Sequence, residues 1–177
     1  NFISPEIFIS LSIMFLLVFG VFKKNSAGLI HNFSIALLLI TGVLILNNPF
    51  DGAVTLFKNS YVIDNLSFLM KIIIILGGAF VLSISKKYLK ISKIFLIEYP
   101  ILILCSILGM MVMISSNDLM VFYIGLELQS LALYVLASFN RDQLKSSESG
   151  LKYFILSALS SGLLLYGCSL IYGFSGS

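Results

Sequence analysis

Glu127 is the residue whose type and place most invite chemistry. It falls eight residues into the apolar run from Leu119 to Phe139, about 12 Å along a helix axis and so near the middle of a bilayer. An ionised carboxylate at that depth costs at least ~2.5 kcal/mol on insertion scales. Such a side chain faces the protein interior, where burial favours its neutral form and a nearby cation favours its charged form. A carboxyl that can be moved between those two states is what a proton relay requires. The alternative is a structural Glu held by a hydrogen bond to a neighbouring helix.

Other polar residues in apolar surroundings admit plainer readings. Lys152 follows Glu148 by four residues, the favourable order for a helical ion pair, and reads on position alone as a snorkelling interface lysine. Lys71, one turn into its own apolar run, is expected to anchor at the interface. His31, at the start of another, is expected to be solvated there. Gln129 and Ser130, just beyond Glu127, could help to satisfy it. Ser157/Ser161 and Ala158/Gly162 have the small-xxx-small spacing that lets helices approach closely. Met110, Met111 and Met113 read as gap-fillers, and Cys105 and Cys168, within apolar runs and without metal spacing, as packing residues.

The elements that must position these side chains follow from composition. The 177 residues are 59% hydrophobic and 11% charged, with a mean hydropathy of +1.06. That profile excludes an ordinary soluble domain, of which roughly a quarter is charged. The class is all-α integral membrane. About six runs are long enough to span: Phe2–Phe22, Leu29–Leu46, Leu66–Ile84, Ile97–Ile114, Leu119–Phe139 and Ser149–Phe174. The first lacks a basic leader and a small-residue cleavage site, so it reads as a retained helix. The chain starts at Asn1 rather than Met, so at least one preceding residue is expected to have been lost. Pro100 suits a helix start, Asn117 or Asp118 can cap the fifth helix, and Ser146 or Ser147 the sixth.

The net charge of +3 belongs to connections and implies no nucleic acid. Lys23 and Lys24, then Lys86, Lys87, Lys90 and Lys93, then Arg141 and Lys145 mark the odd-numbered connections, against Lys58 in the second and no cation in the fourth. By the positive-inside rule the odd connections lie inside and Asn1 outside. The segment Lys86–Lys93 reads as a solvated inside loop, the sharper alternative being a short surface helix on anionic lipid headgroups.

From residue 98 the wording becomes specific. Glu98-Tyr99-Pro100-Ile101-Leu102-Ile103-Leu104, Ser115-Ser116-Asn117-Asp118-Leu119, Gly125-Leu126-Glu127-Leu128-Gln129-Ser130-Leu131-Ala132-Leu133-Tyr134 and the run from Glu148-Ser149-Gly150-Leu151-Lys152-Tyr153-Phe154 to Gly167 closely resemble the subunit 2 family of respiratory complex I. That family supplies antiporter-like, proton-pumping membrane subunits to NADH:ubiquinone oxidoreductase. Residues 1–97 agree in helix count alone. The division implied is 1–97, three helices and the basic segment, and 98–177, helices four to six and the start of the antiporter-like repeat.

The resemblance implies a non-redox subunit of a proton-translocating enzyme. Glu127 matches the family's fifth-helix Glu and Lys152 its sixth-helix Lys, both proton-transfer residues. NADH, FMN, iron–sulfur clusters and ubiquinone would be bound by other subunits and no cofactor or metal by this chain. The implied partners are other complex I membrane subunits and a second chain or continuation carrying the later helices, with a lysine facing Glu127. Ser149 departs from the family's usual Ala. The rival readings are a subunit of a multi-subunit cation/proton antiporter and a structural membrane scaffold. A bias to Ile, Phe, Ser and Lys favours the mitochondrial inner membrane over a bacterial plasma membrane.

Overall fold

The computed structural model describes residues 3–23, 26–47, 52, 54–92 and 94–175. In hydrocarbon every backbone N–H and C=O must be satisfied within its own segment, and the apolar runs accordingly form helices. They are α1 (Ser4–Phe22), α2 (Ala27–Leu46), α3 (Asn65–Ile91), α4 (Glu98–Ile114), α5 (Leu119–Ala137) and α6 (Leu144–Ser175), with a hairpin, β1 (Val54–Leu56) and β2 (Tyr61–Ile63), between α2 and α3. Among the described residues five helices are long and apolar enough to cross a membrane, and the remaining one, α4, has 17 residues, at the short end of the spanning range. Asn1, Phe2, Lys24 and Lys93, which figure in the sequence reading, lie outside the described residues.

Two boundaries differ from those expected. The helix of the third span runs on through Lys86, Lys87 and Lys90, so this basic segment is the end of a transmembrane helix and neither a loop nor a separate surface helix. The sixth begins at Leu144 and runs for 32 residues, about 48 Å. Ser146 and Ser147 therefore lie in its first turn, their N–H groups donating to the Gln143 carbonyl, and do not cap it. Local chemistry sets other starts as read: Asp118 accepts from Met120 N–H at 2.8 Å, and Pro100 stands in the first turn of α4, where an N–H has no intrahelical partner. A capping box at α3 pairs Asp64 Oδ1 with Ser67 N–H and Ser67 Oγ with Asp64 N–H, each at 2.8 Å. These bonds hold the Asp64 carboxyl below its ordinary value.

One apolar core joins the first four helices: Ile9, Ile13 and Leu16 of α1, Ile30, Leu38 and Ile45 of α2, Ile75, Ala79 and Leu82 of α3, and Ile101, Leu104, Ile107 and Met111 of α4. Between α4 and α5 the backbones themselves touch. A Cβ added at Gly109 would lie 2.6 Å from Gln129 N and 2.8 Å from Gly125 O, and one at Gly125 would lie 2.8 Å from Met113 N. At the start of α6, Gly150 abuts Ser138 of the turn after α5 and Tyr134 meets Tyr153 and Phe154 edge-on at 5.0 and 5.8 Å. Farther along α6 one face stays covered, with Ser157 and Ser161 half-buried and Cys168 buried, while Ala158, Ser160 and Gly162 are exposed.

The α4–α5 contact generates a prediction. Gly125→Ala or Gly109→Ala should destabilise the membrane-inserted protein by about 1–3 kcal/mol, the usual cost of overpacking. Gly77→Ala, with nothing within 4 Å of the added carbon, should be tolerated. Thermal inactivation of the purified variants would rank them, and equal stability for all three would contradict the close approach.

Candidate functional site

Three buried polar groups stand out. Glu127 is on α5, two residues from Gly125, and is half-buried within this chain. Its Oε1 is shielded from solvent and has no hydrogen-bond partner among the described residues. Ser130, which could have served it, instead donates to the backbone carbonyls of Leu126 and Glu127 at 2.8 and 3.1 Å. Lys152 is not brought to it by any hydrogen bond or ion pair. Its ammonium donates to Glu148 Oε1 at 2.6 Å on an exposed stretch of α6, which is the helical pair expected from spacing.

The second group was not expected. Lys71, read from sequence as an interface anchor, is only 3% exposed and donates to Glu6 Oε1 at 2.7 Å. Tyr61, from β2, donates to the same oxygen at 2.8 Å, and Lys71 also reaches the Tyr61 hydroxyl at 3.2 Å. Glu6 Oε2 is buried without a partner among the described residues. Burial first, and then the Glu6 charge, push the Tyr61 phenol far above its ordinary value, so it serves as a fixed donor. Glu6 escapes a sequence reading because an acid in a first turn beside Pro5 is the ordinary complement of a helix dipole. The signal available was a Glu and a Lys of opposite charge, each just inside an apolar run.

The hairpin extends this cluster towards α5. Its strands pair antiparallel, Val54 with Ile63, Thr55 with Val62 and Leu56 with Tyr61. The β2 side then holds the α4–α5 turn: Val62 N–H donates to Ser115 O at 2.8 Å and Asn117 N–H to Ser60 O at 3.0 Å. Asn117 Nδ2 adds a bond to Asn59 O at 2.8 Å. Glu6 and Lys71 thus sit under a small cover that also fixes the start of the helix bearing Glu127.

The third group is His31 at the opposite end. It is fully buried rather than solvated, because the end of α3 and Phe95 close over it. Its Nε2 lies 2.8 Å from the Leu82 carbonyl, to which an N–H there donates, and its ring lies 5.6 Å from that of Phe95. Nearby, Lys86 donates to Asn32 Oδ1 and Lys90 stands over the Phe95 ring at 5.6 Å. Arg141 and Glu98 approach to 3.9 Å on the exposed surface, a pair of little energetic weight.

Removing one partner of a buried ion pair strands the other charge, typically at a cost of about 3–5 kcal/mol. Lys71→Met should therefore destabilise the protein more than the double change Glu6→Gln/Lys71→Met does. A double-mutant cycle read by thermal inactivation tests this; additive effects would mean the pair is not coupled.

Comparison with known proteins bears on what these groups do. Residues 116–177 match the family model described as NADH:quinone oxidoreductase/Mrp antiporter, TM. Over all 177 residues the chain is 80% identical to the NADH-quinone oxidoreductase subunit N of Pelagibacter ubique (strain HTCC1062), of which it covers 38%. To the subunit N of Bartonella bacilliformis it is 51% identical over 98% of its own length and 36% of the relative's. A chain of the respiratory complex I of Thermus thermophilus, solved with bound Aureothin, superposes with a TM-score of 0.82 at 24% identity, over 98% of this chain and 37% of that one. The chain thus spans well under half the length of the relatives it matches, and the likeness to the solved chain bears on fold alone. These relatives are bacterial, which draws the expected location away from the mitochondrial membrane.

Proposed function

We infer that this chain, a relative of NADH-quinone oxidoreductase subunit N along its whole length, contributes part of a proton pathway to the membrane arm of a proton-translocating NADH:quinone oxidoreductase. The observation that carries the chemistry is the Glu127 carboxylate, on a membrane helix with one oxygen shielded from solvent and unpartnered. A structural Glu would spend that oxygen on a neighbour, whereas a relay residue keeps it open for a proton or a movable cation. The family model also takes in cation/proton antiporters. Identity of 80% and 51% to relatives named as oxidoreductase subunits supports the first reading over that one and over a scaffold.

The remaining assignments follow from this reading. The chain has no redox role of its own; nicotinamide, flavin, iron–sulfur and quinone chemistry belongs to other subunits, which are its partners. Lys152, held by Glu148, is a second proton-transfer residue at the end of the path opposite the hairpin. A lysine on a helix supplied from elsewhere in the assembly answers Glu127 across the open, small-residue side of α6. The membrane is a bacterial plasma membrane. The lysine-bearing end of α3 faces the cytoplasm, where Lys86, Lys87 and Lys90 can meet anionic headgroups, and the hairpin faces outward.

Glu127→Gln keeps the shape and removes the proton. In the assembled oxidoreductase it should leave assembly largely intact and sharply lower the number of protons moved per electron, with Glu127→Asp milder. An assembled Gln variant pumping at the wild-type ratio would make Glu127 structural. Orientation has its own check. Single cysteines at Asn59, in the hairpin turn, and Ser92, at the end of α3, should label from opposite sides of sealed vesicles. Labelling from one side only would overturn the topology.

A further inference from the structure

The Glu6 cluster is more than a brace. Two donors, the Tyr61 hydroxyl and the Lys71 ammonium, converge on Oε1, and Oε2 is left buried without a partner among the described residues. A carboxylate selected only to lock helices together would divide its donors between both oxygens, because an unpaired buried oxygen is costly. Among the described residues, the charged and titratable groups that face it are Tyr61 from β2 and Lys71 from α3, with Asp64, the α3 cap, within reach of the Lys71 charge. Tyr61 cannot be the exchanging group, since burial and the Glu6 charge both keep its proton on.

We propose that Glu6, with Tyr61 and Lys71, forms a second proton-exchange site of this chain, beneath the hairpin and separate from Glu127, with the proton as its ligand. A hydronium from water on the hairpin side gives a proton to Oε2. One O–H bond of the hydronium breaks, the carboxyl O–H forms, and water is left. Lys71 and Tyr61 keep their protons and their contacts at Oε1, and release is the reverse step. The cluster thereby passes from no net charge to one positive charge, which low-dielectric surroundings disfavour. Its place at the outward end of a pathway rests on the function proposed above; the exchange itself does not.

Carbodiimides such as dicyclohexylcarbodiimide add to protonated carboxyls in apolar surroundings, so the unmodified, membrane-embedded oxidoreductase can be tested directly. Peptide mapping should find the α1 peptide modified at Glu6, rising as the pH on the hairpin side is lowered, by up to about tenfold per pH unit for a single proton. Acidifying the opposite side should have no such effect. The infrared pH-difference spectrum should show a protonated-carboxyl band that Glu6→Gln removes and Glu127→Gln leaves. Absence of that band, or labelling of Glu6 that ignores the pH on the hairpin side, would overturn the proposal. Because neither readout uses pumping or Glu127, failure here is distinguishable from failure of the relay reading.

Discussion

An ammonium and a carboxylate withdrawn from water need each other, and the contact of Lys71 with Glu6 at 2.7 Å organises the hairpin end of this molecule. The desolvation of two such ions is repaid only by close geometry and further hydrogen bonds. Tyr61 supplies the further bond, and it can do so only because β1 and β2 pair in a register that carries its side chain down onto α1 and α3. The hairpin is therefore not an ornament on a connection. It closes a low-dielectric pocket in which charge is strongly felt, and through Val62, Ser60 and Asn59 it grips the turn from which α5 departs.

Helix α5 is held at three places, which is what a functional side chain on it requires. Its start is fixed by Asp118 and the hairpin. Its middle is pressed against α4, where Gly109 and Gly125 remove the side chains that would separate the backbones. Its end is clasped by the Tyr134 ring between Tyr153 and Phe154. Glu127, between Gly125 and Gln129, inherits its position from the tightest of these contacts. The fourth helix can be short because it is buried among α1, α2 and α3 on one side and α5 on the other.

What sequence could disclose follows a physical division. Apolar length and backbone self-satisfaction are local properties, so helix number, the Asp118 cap, the place of Pro100 and the Glu148–Lys152 pair were all legible. Properties that depend on which helix lies against which were not. Lys71 and His31 each sit near a helix end, where solvation is the ordinary outcome, and both are buried by elements distant in the chain: α1 and the hairpin for one, the end of α3 and Phe95 for the other. The α6 stripe of small residues drew attention, yet the close backbone contact lies at Gly109 and Gly125, on helices whose surrounding large residues mask the pattern. The hairpin itself was invisible because its strands have three residues each, too few to show an alternation, and because the turn between them lacks glycine.

The two carboxylates, Glu6 buried and Glu127 half-buried, answer the same constraint in opposite ways. Glu6 meets its cation and its hydroxyl within the chain, so its charge is decided locally, and only its second oxygen stays open to the proton. Glu127 meets no cation among the described residues, although the helix that carries it is fixed on three counts, so the two carboxylates differ in whether the described part of their own chain answers them.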